Sequence, residues 1–314
     1  MLRVIFMGTP EFSVPALDAI NQLHSIVGVY TQPDKPVGRG LDHKSSPVKL
    51  KALNLGLPVF QPERLSQPGE LEKLKALKPD VMVVVAYGQI LKRDVLDVPR
   101  LGCVNIHSSL LPRWRGAAPI QWAILEGDPE TGITTMRMVE KLDAGAILLQ
   151  KKTPIAQDDT APSLHDRLSQ MGAELITLTL EGLEKQTLID QAQDEAQVTY
   201  ASKLSKEMEK LDLSLSAETL DRKIRALTPW PGSSLQIMEG PLKGRLKIKQ
   251  AHLRKNIKGR TGQIFEQSGM LLLGTPDGCL ELRRLQWDGK KESTPNEFLN
   301  GLKGRGQALP LQVG

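Results

Sequence analysis

The chain has 314 residues, 40% of them hydrophobic, with 41 Lys+Arg against 36 Asp+Glu and a net charge of +5. That length and composition exclude a disordered polymer and point to two domains, each long enough to bury its own core. With only Cys103 and Cys279 a disulfide framework is excluded, and no apolar run reaches membrane-spanning length.

The opening "LRVIFMGTP" reads as a strand running into a turn, not as the basic start and apolar stretch of a signal peptide, so a cytoplasmic location is expected. Runs "RVIFMG", "IVGVY", "VMVVVAYG" and "CVNIHS" are separated by longer helical or turn-like segments, the pattern of a doubly wound α/β domain with a parallel sheet. The loop "GTPEF" lacks the G-x-G-x-x-G spacing of a dinucleotide site, and no G-x-x-x-x-G-K-[ST] occurs. A dehydrogenase or P-loop enzyme is therefore disfavoured.

Ligands of such sheets bind beyond the C-terminal ends of the strands. "VNIHS" delivers Asn105 and His107 to such an end, and the period of two places both on one side of the strand. An amide is a neutral hydrogen-bond donor suited to a developing oxyanion, and an imidazole gives or takes protons near neutral pH. "LDAGAI" adds Asp143 in a Gly-flanked loop, and a carboxylate beside an imidazole favours its charged form. The histidines, at 24, 43, 107, 165 and 252, include no pair at metal-ligand spacing, so no metal is expected.

Further along, "SLHDRLSQMGAELITLTLEGLE" predicts a packing helix over 163–184, capped by Ser163 and buried through Leu164, Leu168, Met171, Leu175 and Leu178. The polar, aperiodic stretch 185–207 reads as a linker. "SAETLDRKIRAL" predicts a helix capped by Ser216 with Leu220, Ile224 and Leu227 on its apolar face, ended by "TPWPGS". Five short strands follow: "SSLQIM", "RLKIKQAHL", "GQIFEQ", "MLLLGT" and "CLELRRLQ". They suit a small barrel of the oligonucleotide-binding kind.

Charge is uneven. Residues 206–314 carry 19 Lys+Arg against 12 Asp+Glu, whereas residues 1–205 carry 22 against 24. A basic module points to a polyanionic partner, with a solvated Lys-rich surface as the alternative. In "RLKIKQ", Leu246 and Ile248 alternate with Arg245, Lys247 and Lys249, so one strand can bury one face and present three cations on the other.

The segments "FMGTPEFSVPAL", "NIHSSLLPRWRGAAPIQ" and "LDAGAILLQ" together resemble the folate-dependent formyltransferases. "YTQPDKPVGRG", "SPVK", "VMVVVAYGQIL", "TYASKLSKEM" and "IRALTPWPGS" resemble the branch of that family acting on methionyl-tRNA, and the matches span nearly the whole chain. The resemblance implies an N-terminal Rossmann-like catalytic and folate-binding domain over 1–184, a linker over 185–207, and an OB-like β-barrel for tRNA over 208–314. The implied reaction moves the formyl group of 10-formyltetrahydrofolate to the α-amine of methionyl initiator tRNA, with a monomer expected.

Asn105 and His107 would then meet the charge developing on the formyl oxygen, each contact typically worth about 3 to 4 kcal/mol. Asp143 would hold the imidazolium and, through water, help to remove the amine's proton. Ser109, Leu110, Leu111 and Pro112 would line the folate site, with Tyr87 and Gly88. Arg39, Lys44, Lys206, Arg225, Lys247 and Lys249 would face tRNA. In this chain Leu41 and Asp42 follow "GRG" where the family usually carries two lysines, which weakens phosphate attraction at that loop without abolishing it. A nucleotide-sugar formyltransferase, which should need no basic tail domain, a formyl-folate hydrolase and a pure RNA-binding protein are the rival readings.

Overall fold

A computed structural model describes residues 1–37, 42–238 and 243–314; Arg39 and Leu41 lie outside the described residues. The chain forms two compact units that interleave along the sequence. The first comprises residues 1–119, 130–154 and 164–201, and the second comprises 120–129, 155–163 and 202–314.

The first unit is built on strands β1 (Arg3–Gly8), β2 (Ser25–Tyr30), β3 (Val59–Phe60), β4 (Val81–Val85), β5 (Cys103–His107), β6 (Glu130–Arg137) and β7 (Ile147–Pro154). Their order in the sheet is β7-β6-β5-β4-β1-β2-β3. The five strands from β3 to β5 are parallel, and β6 and β7 are added antiparallel at one edge. That is the doubly wound order, with its reversal between β1 and β4. β1 and β4 are central and covered on both faces, which is why "VIFMG" and "VMVVV" are apolar without alternation.

The two antiparallel strands were not foreseen. "ETGITTMR" and "ILLQKKTP" are Thr- and Lys-rich, and their strand character comes from pairing with β5, where His107 lies opposite Thr134 and Asn105 opposite Met136.

The long helix runs from Ala161 to Glu184, two residues earlier than expected. Thr160, not Ser163, closes its start: Ser163 N–H donates to Thr160 Oγ1 (3.3 Å), and Thr160 N–H donates to Ser163 Oγ (2.9 Å). Leu164, Leu168, Met171 and Leu175 are buried, but Leu178 is 55% exposed, and Ile176, Thr179 and Leu180 continue the packed face. Over six turns the apolar stripe rotates around the helix, which a strict four-and-three spacing does not follow.

In the second unit a helix spans Ala217–Leu227, capped by the Ser216 side chain accepting from Thr219 N–H, with Leu220, Ile224 and Leu227 fully buried. Among the described residues its sheet has six strands in one continuous path, β8 (Ser234–Ile237), β9 (Gly244–Arg254), β10 (Gln263–Gln267), β11 (Met270–Gly274), β12 (Cys279–Trp287) and β13 (Leu311–Gln312), and a seventh short strand, Glu292–Ser293, that pairs with β12 off that path. The first five are those expected, and the sixth decides the architecture. The order β8-β9-β12-β11-β10-β13 closes on itself, because Ile237 pairs antiparallel with Val313 and Gln236 exchanges backbone hydrogen bonds with Gly314 at 2.8 and 3.0 Å. Closure removes both sheet edges. Leu246, Ile248, Leu282 and Leu285 fill the interior with Leu220 and Ile224 of the helix.

Candidate functional site

β5 ends at His107, and the turn after it is tied back onto the sheet. Ser109 Oγ donates to Arg113 O (2.6 Å), Thr134 Oγ1 donates to Ser109 O (2.7 Å), and Leu111 N–H donates to Thr134 Oγ1 (3.1 Å). Gln150 Nε2 donates to both Leu111 O and Thr134 Oγ1, each at 2.9 Å. The Leu111–Pro112 peptide is cis. Ser109 and Leu111 are buried and engaged inside the turn, so of the four residues expected to line a ligand site only Leu110 and Pro112 keep partial exposure.

The turn also orients His107, which is 6% exposed. Its Nε2 lies 2.8 Å from Trp114 O. A carbonyl only accepts, so Nε2 carries the proton, and any proton gained or lost by the ring is exchanged at Nδ1. Nδ1 is 3.8 Å from Asp143 Oδ2, a charge-pairing distance too long for a direct hydrogen bond. Asp143 Oδ2 instead accepts Gly116 N–H at 2.8 Å. Asn105, two residues back on the same side of the strand, is half-buried.

Asp143 adopts φ +49°, the left-handed region that a side chain enters at a cost of about 1–3 kcal/mol. Its turn is closed by Gly145, where a Cβ would lie 1.8 Å from Arg137 O. Residues 193–201 support the turn. Gln193 Nε2 donates to Asp143 O (2.7 Å) and Gly145 O (2.8 Å), Arg115 Nε donates to Gln193 Oε1 (3.0 Å), and Arg115 Nη2 pairs with Glu195 Oε1 (2.8 Å). Lys141 pairs with Glu195 Oε2 at 2.9 Å, and these two cations hold the Glu195 carboxyl down to about 2. Tyr200–Ala201 pairs in parallel with Arg115–Gly116. None of Arg115, Gln193, Glu195, Thr134 and Gln150 was singled out from the sequence, because their partners lie far along the chain.

A cavity of about 290 Å³ opens beside Asp143, lined by Gln89–Leu91 and Met136–Gly145. Ile90, Leu142 and Val139 stand 84%, 63% and 47% exposed on these two segments, an apolar cluster that solvent alone does not favour. Tyr87, expected to contact a ligand, is turned away from it. Its ring is 2% exposed in the core with Ile5, Tyr30 and Met82, and burial pushes its phenol up. Only its carbonyl reaches outward, accepting from Thr9 Oγ1 and Gln32 Nε2. Gly88, at φ +87°, turns the chain into the lining segment. Cys103 is buried beneath the site with its thiol pushed up to about 12 by desolvation, which leaves it chemically inert. Among the described residues no group of three or more His, Cys, Asp or Glu is placed to hold a metal.

The cations expected on a nucleic-acid surface fare differently from one another. Lys44 and Lys206 are exposed, and Lys247 and Lys249 are half-buried on β9. Arg225 is committed to the protein: it pairs with Asp221 at 2.7 Å, donates to Asp159 O at 2.7 Å, and has a side chain 12% exposed. Arg245 is likewise held by Asp288 (2.7 Å) and Glu209 (3.2 Å), so β9 offers two cations rather than three.

Residues 2–180 match the Formyl transferase family and residues 203–303 its C-terminal domain. A methionyl-tRNA formyltransferase of Halorhodospira halophila is 48% identical over 95% of this chain and 96% of its own length. One from Marinobacter nauticus is 46% identical over 99% of both. Among solved structures, the sugar 3N-formyl transferase WlaRD superposes with a TM-score of 0.69 at 20% identity, over 93% of this chain and 99% of that one. HypX from Aquifex aeolicus, solved with tetrahydrofolic acid, gives 0.65 at 18% identity over 96% of this chain, which spans about half of HypX, 48%. The structural likenesses share the fold, while the sequence relatives share nearly every segment from the first strand to the last, and the chain belongs to the methionyl-tRNA formyltransferases of the formyl transferase family.

Proposed function

We infer that the protein transfers the formyl group of 10-formyltetrahydrofolate to the α-amine of methionyl initiator tRNA. The observation that carries this beyond family membership is the joining, at one end of the sheet, of Asn105, His107 and Asp143 with an apolar cavity that Asp143 itself lines. The cavity fits a flat heteroaromatic ring. Ile90, Leu91, Met138, Val139 and Leu142 supply apolar walls, and Gln89, Glu140, Lys141 and Asp143 are the polar residues of its lining. Bound there, the folate supplies an activated formyl group.

The residues of the chain supply the rest. The Asn105 amide donates to the formyl oxygen as charge develops on it, and His107 acts at Nδ1, since Nε2 stays on Trp114 O. Asp143, fixed by Gly116 N–H, presents a carboxylate beside Nδ1, where through water it would accept the proton that the attacking amine loses, while the bond from the formyl carbon to folate N10 breaks and N10 takes up a proton. The division of labour belongs to this proposal: catalysis by 1–184, with 185–201 bonded to the same unit rather than forming a free linker, and tRNA binding by 208–314, supported by the cation excess of the C-terminal part. So do a monomeric state and a cytoplasmic location, where charged initiator tRNA is used; among the described residues no helix is long and apolar enough to cross a membrane.

The test is transfer of radiolabelled formyl from 10-formyltetrahydrofolate, with charged initiator tRNA, an amino-sugar nucleotide or water as acceptor. Label is expected on methionyl-tRNA alone. Label on the sugar, or release of free formate at the same rate without tRNA, would replace the proposal with one of its rivals.

A further inference from the structure

Arg115 is fully buried, and among the described residues its Nη1 has no hydrogen-bond partner, an unusual state for a guanidinium. A buried charge is costly unless well paired, so its retention calls for a return. The return lies in Gln193. With Oε1 held by Arg115 Nε, the amide of Gln193 has one orientation left, and its NH2 faces the carbonyls of Asp143 and Gly145 together.

Those two carbonyls define the turn that holds Asp143 in its left-handed conformation, and that conformation sets where Oδ2 stands relative to Gly116 N–H and His107 Nδ1. Arg115 also gives its backbone N–H to Thr199 O (2.9 Å), and the neighbouring Trp114 N–H goes to Thr199 Oγ1 (3.0 Å). One strap thereby fixes the carbonyl on which His107 Nε2 rests as well as the turn that carries Asp143.

We propose that Gln193, oriented by Arg115 and Glu195, is a positioning residue for the formyl transfer step, acting through the backbone of the Asp143 turn. This rests on the functional reading above and goes beyond it by assigning a role to a segment that carries none of the catalytic side chains. Glu195 completes the chain of contacts from the solvent side. Its carboxyl, held ionised by Arg115 and Lys141, keeps the guanidinium turned toward Gln193 throughout the neutral range.

Gln193→Glu is the informative substitution. It preserves size and an acceptor for Arg115, but it sets a carboxylate oxygen against two carbonyls where an NH2 stood. Single-turnover formylation at saturating folate and tRNA is expected to fall about 10- to 100-fold, the effect of an ångström-scale displacement of a reacting group. The melting temperature and the KM for tRNA should stay near those of the wild type. Glu195→Ala, on a side chain 59% exposed, probes the same chain of contacts with little risk to folding, and a smaller fall in the same rate is expected. Wild-type rates in both variants, or a lowered melting temperature with an unchanged rate, would reduce the strap to scaffold and overturn the proposal. If Gln193→Glu does not fold, the Glu195→Ala rate decides alone. A wild type that formylates nothing would instead sink the functional reading, and this inference with it.

Discussion

A protonated Nε2 on Trp114 O leaves His107 one working nitrogen, and that single constraint organises the chemistry of the site. In the proposed reaction His107 and Asn105 would act on charge that exists only as the formyl group is attacked, and so would serve the transition state rather than binding. His107→Ala and Asn105→Ala are each expected to lower the single-turnover rate by about 100-fold or more, with tRNA affinity retained. Near-wild-type rates in either variant would remove that residue from the oxyanion role. That Asn105 and His107 share one side was legible in the strand periodicity, whereas the approach of Asp143 to His107 was not. The 3.8 Å separation and the competing bond to Gly116 N–H were not legible, because they depend on a left-handed turn at residue 143.

At the scale of elements, the short strand β13 has an effect out of proportion to its length. Leu311 and Val313 are 2% and 4% exposed, and their segment joins β10 to β8. Removing residues 311–314 would forfeit the burial of two apolar side chains, worth about 1.5–3 kcal/mol each, and reopen two sheet edges. Chemical denaturation of the truncated chain should show the second unit losing about 3–6 kcal/mol. An unchanged midpoint would mean that the barrel does not need its last strand. "LPLQVG" shows no alternation long enough to be read as a strand; it becomes one because β8 and β10 present unpaired backbone groups on either side. The stretch 185–201 behaves likewise, polar and aperiodic in sequence yet bonded through Gln191 to Ile147, through Gln193, Glu195 and Thr199 to Arg115, and through Gln193 to the Asp143 turn.

For the molecule as a whole, WlaRD, a sugar 3N-formyl transferase, is matched over 99% of its length, so the two chains share a fold of nearly the same extent. The acceptor proposed above is therefore tested on the surface charge of the second unit. With Arg225 and Arg245 held by carboxylates, Lys247 and Lys249 are the two cations proposed for phosphate on β9. Replacing both by Ala should flatten the dependence of log Kd for tRNA on log salt by up to about two counterions, raise KM for tRNA, and leave folate binding intact. Filter binding across a salt series measures it, and an unchanged slope would assign these lysines to solvent.

The amino-acid sequence by itself determined the class of both domains, the capped helix at Ser216, five barrel strands and the three residues proposed for the reacting centre. Each of these is written in short-range periodicity, capping chemistry or a contiguous motif. Tertiary structure alone decided which cations remain free, that Tyr87 belongs to the core, that Ile90, Val139 and Leu142 wall the cavity, and that Gln193 and Arg115 brace Asp143. These outcomes depend on which distant groups meet: a guanidinium is a binding group or a strut according to whether a carboxylate reaches it, and spacing along the chain carries no record of that meeting.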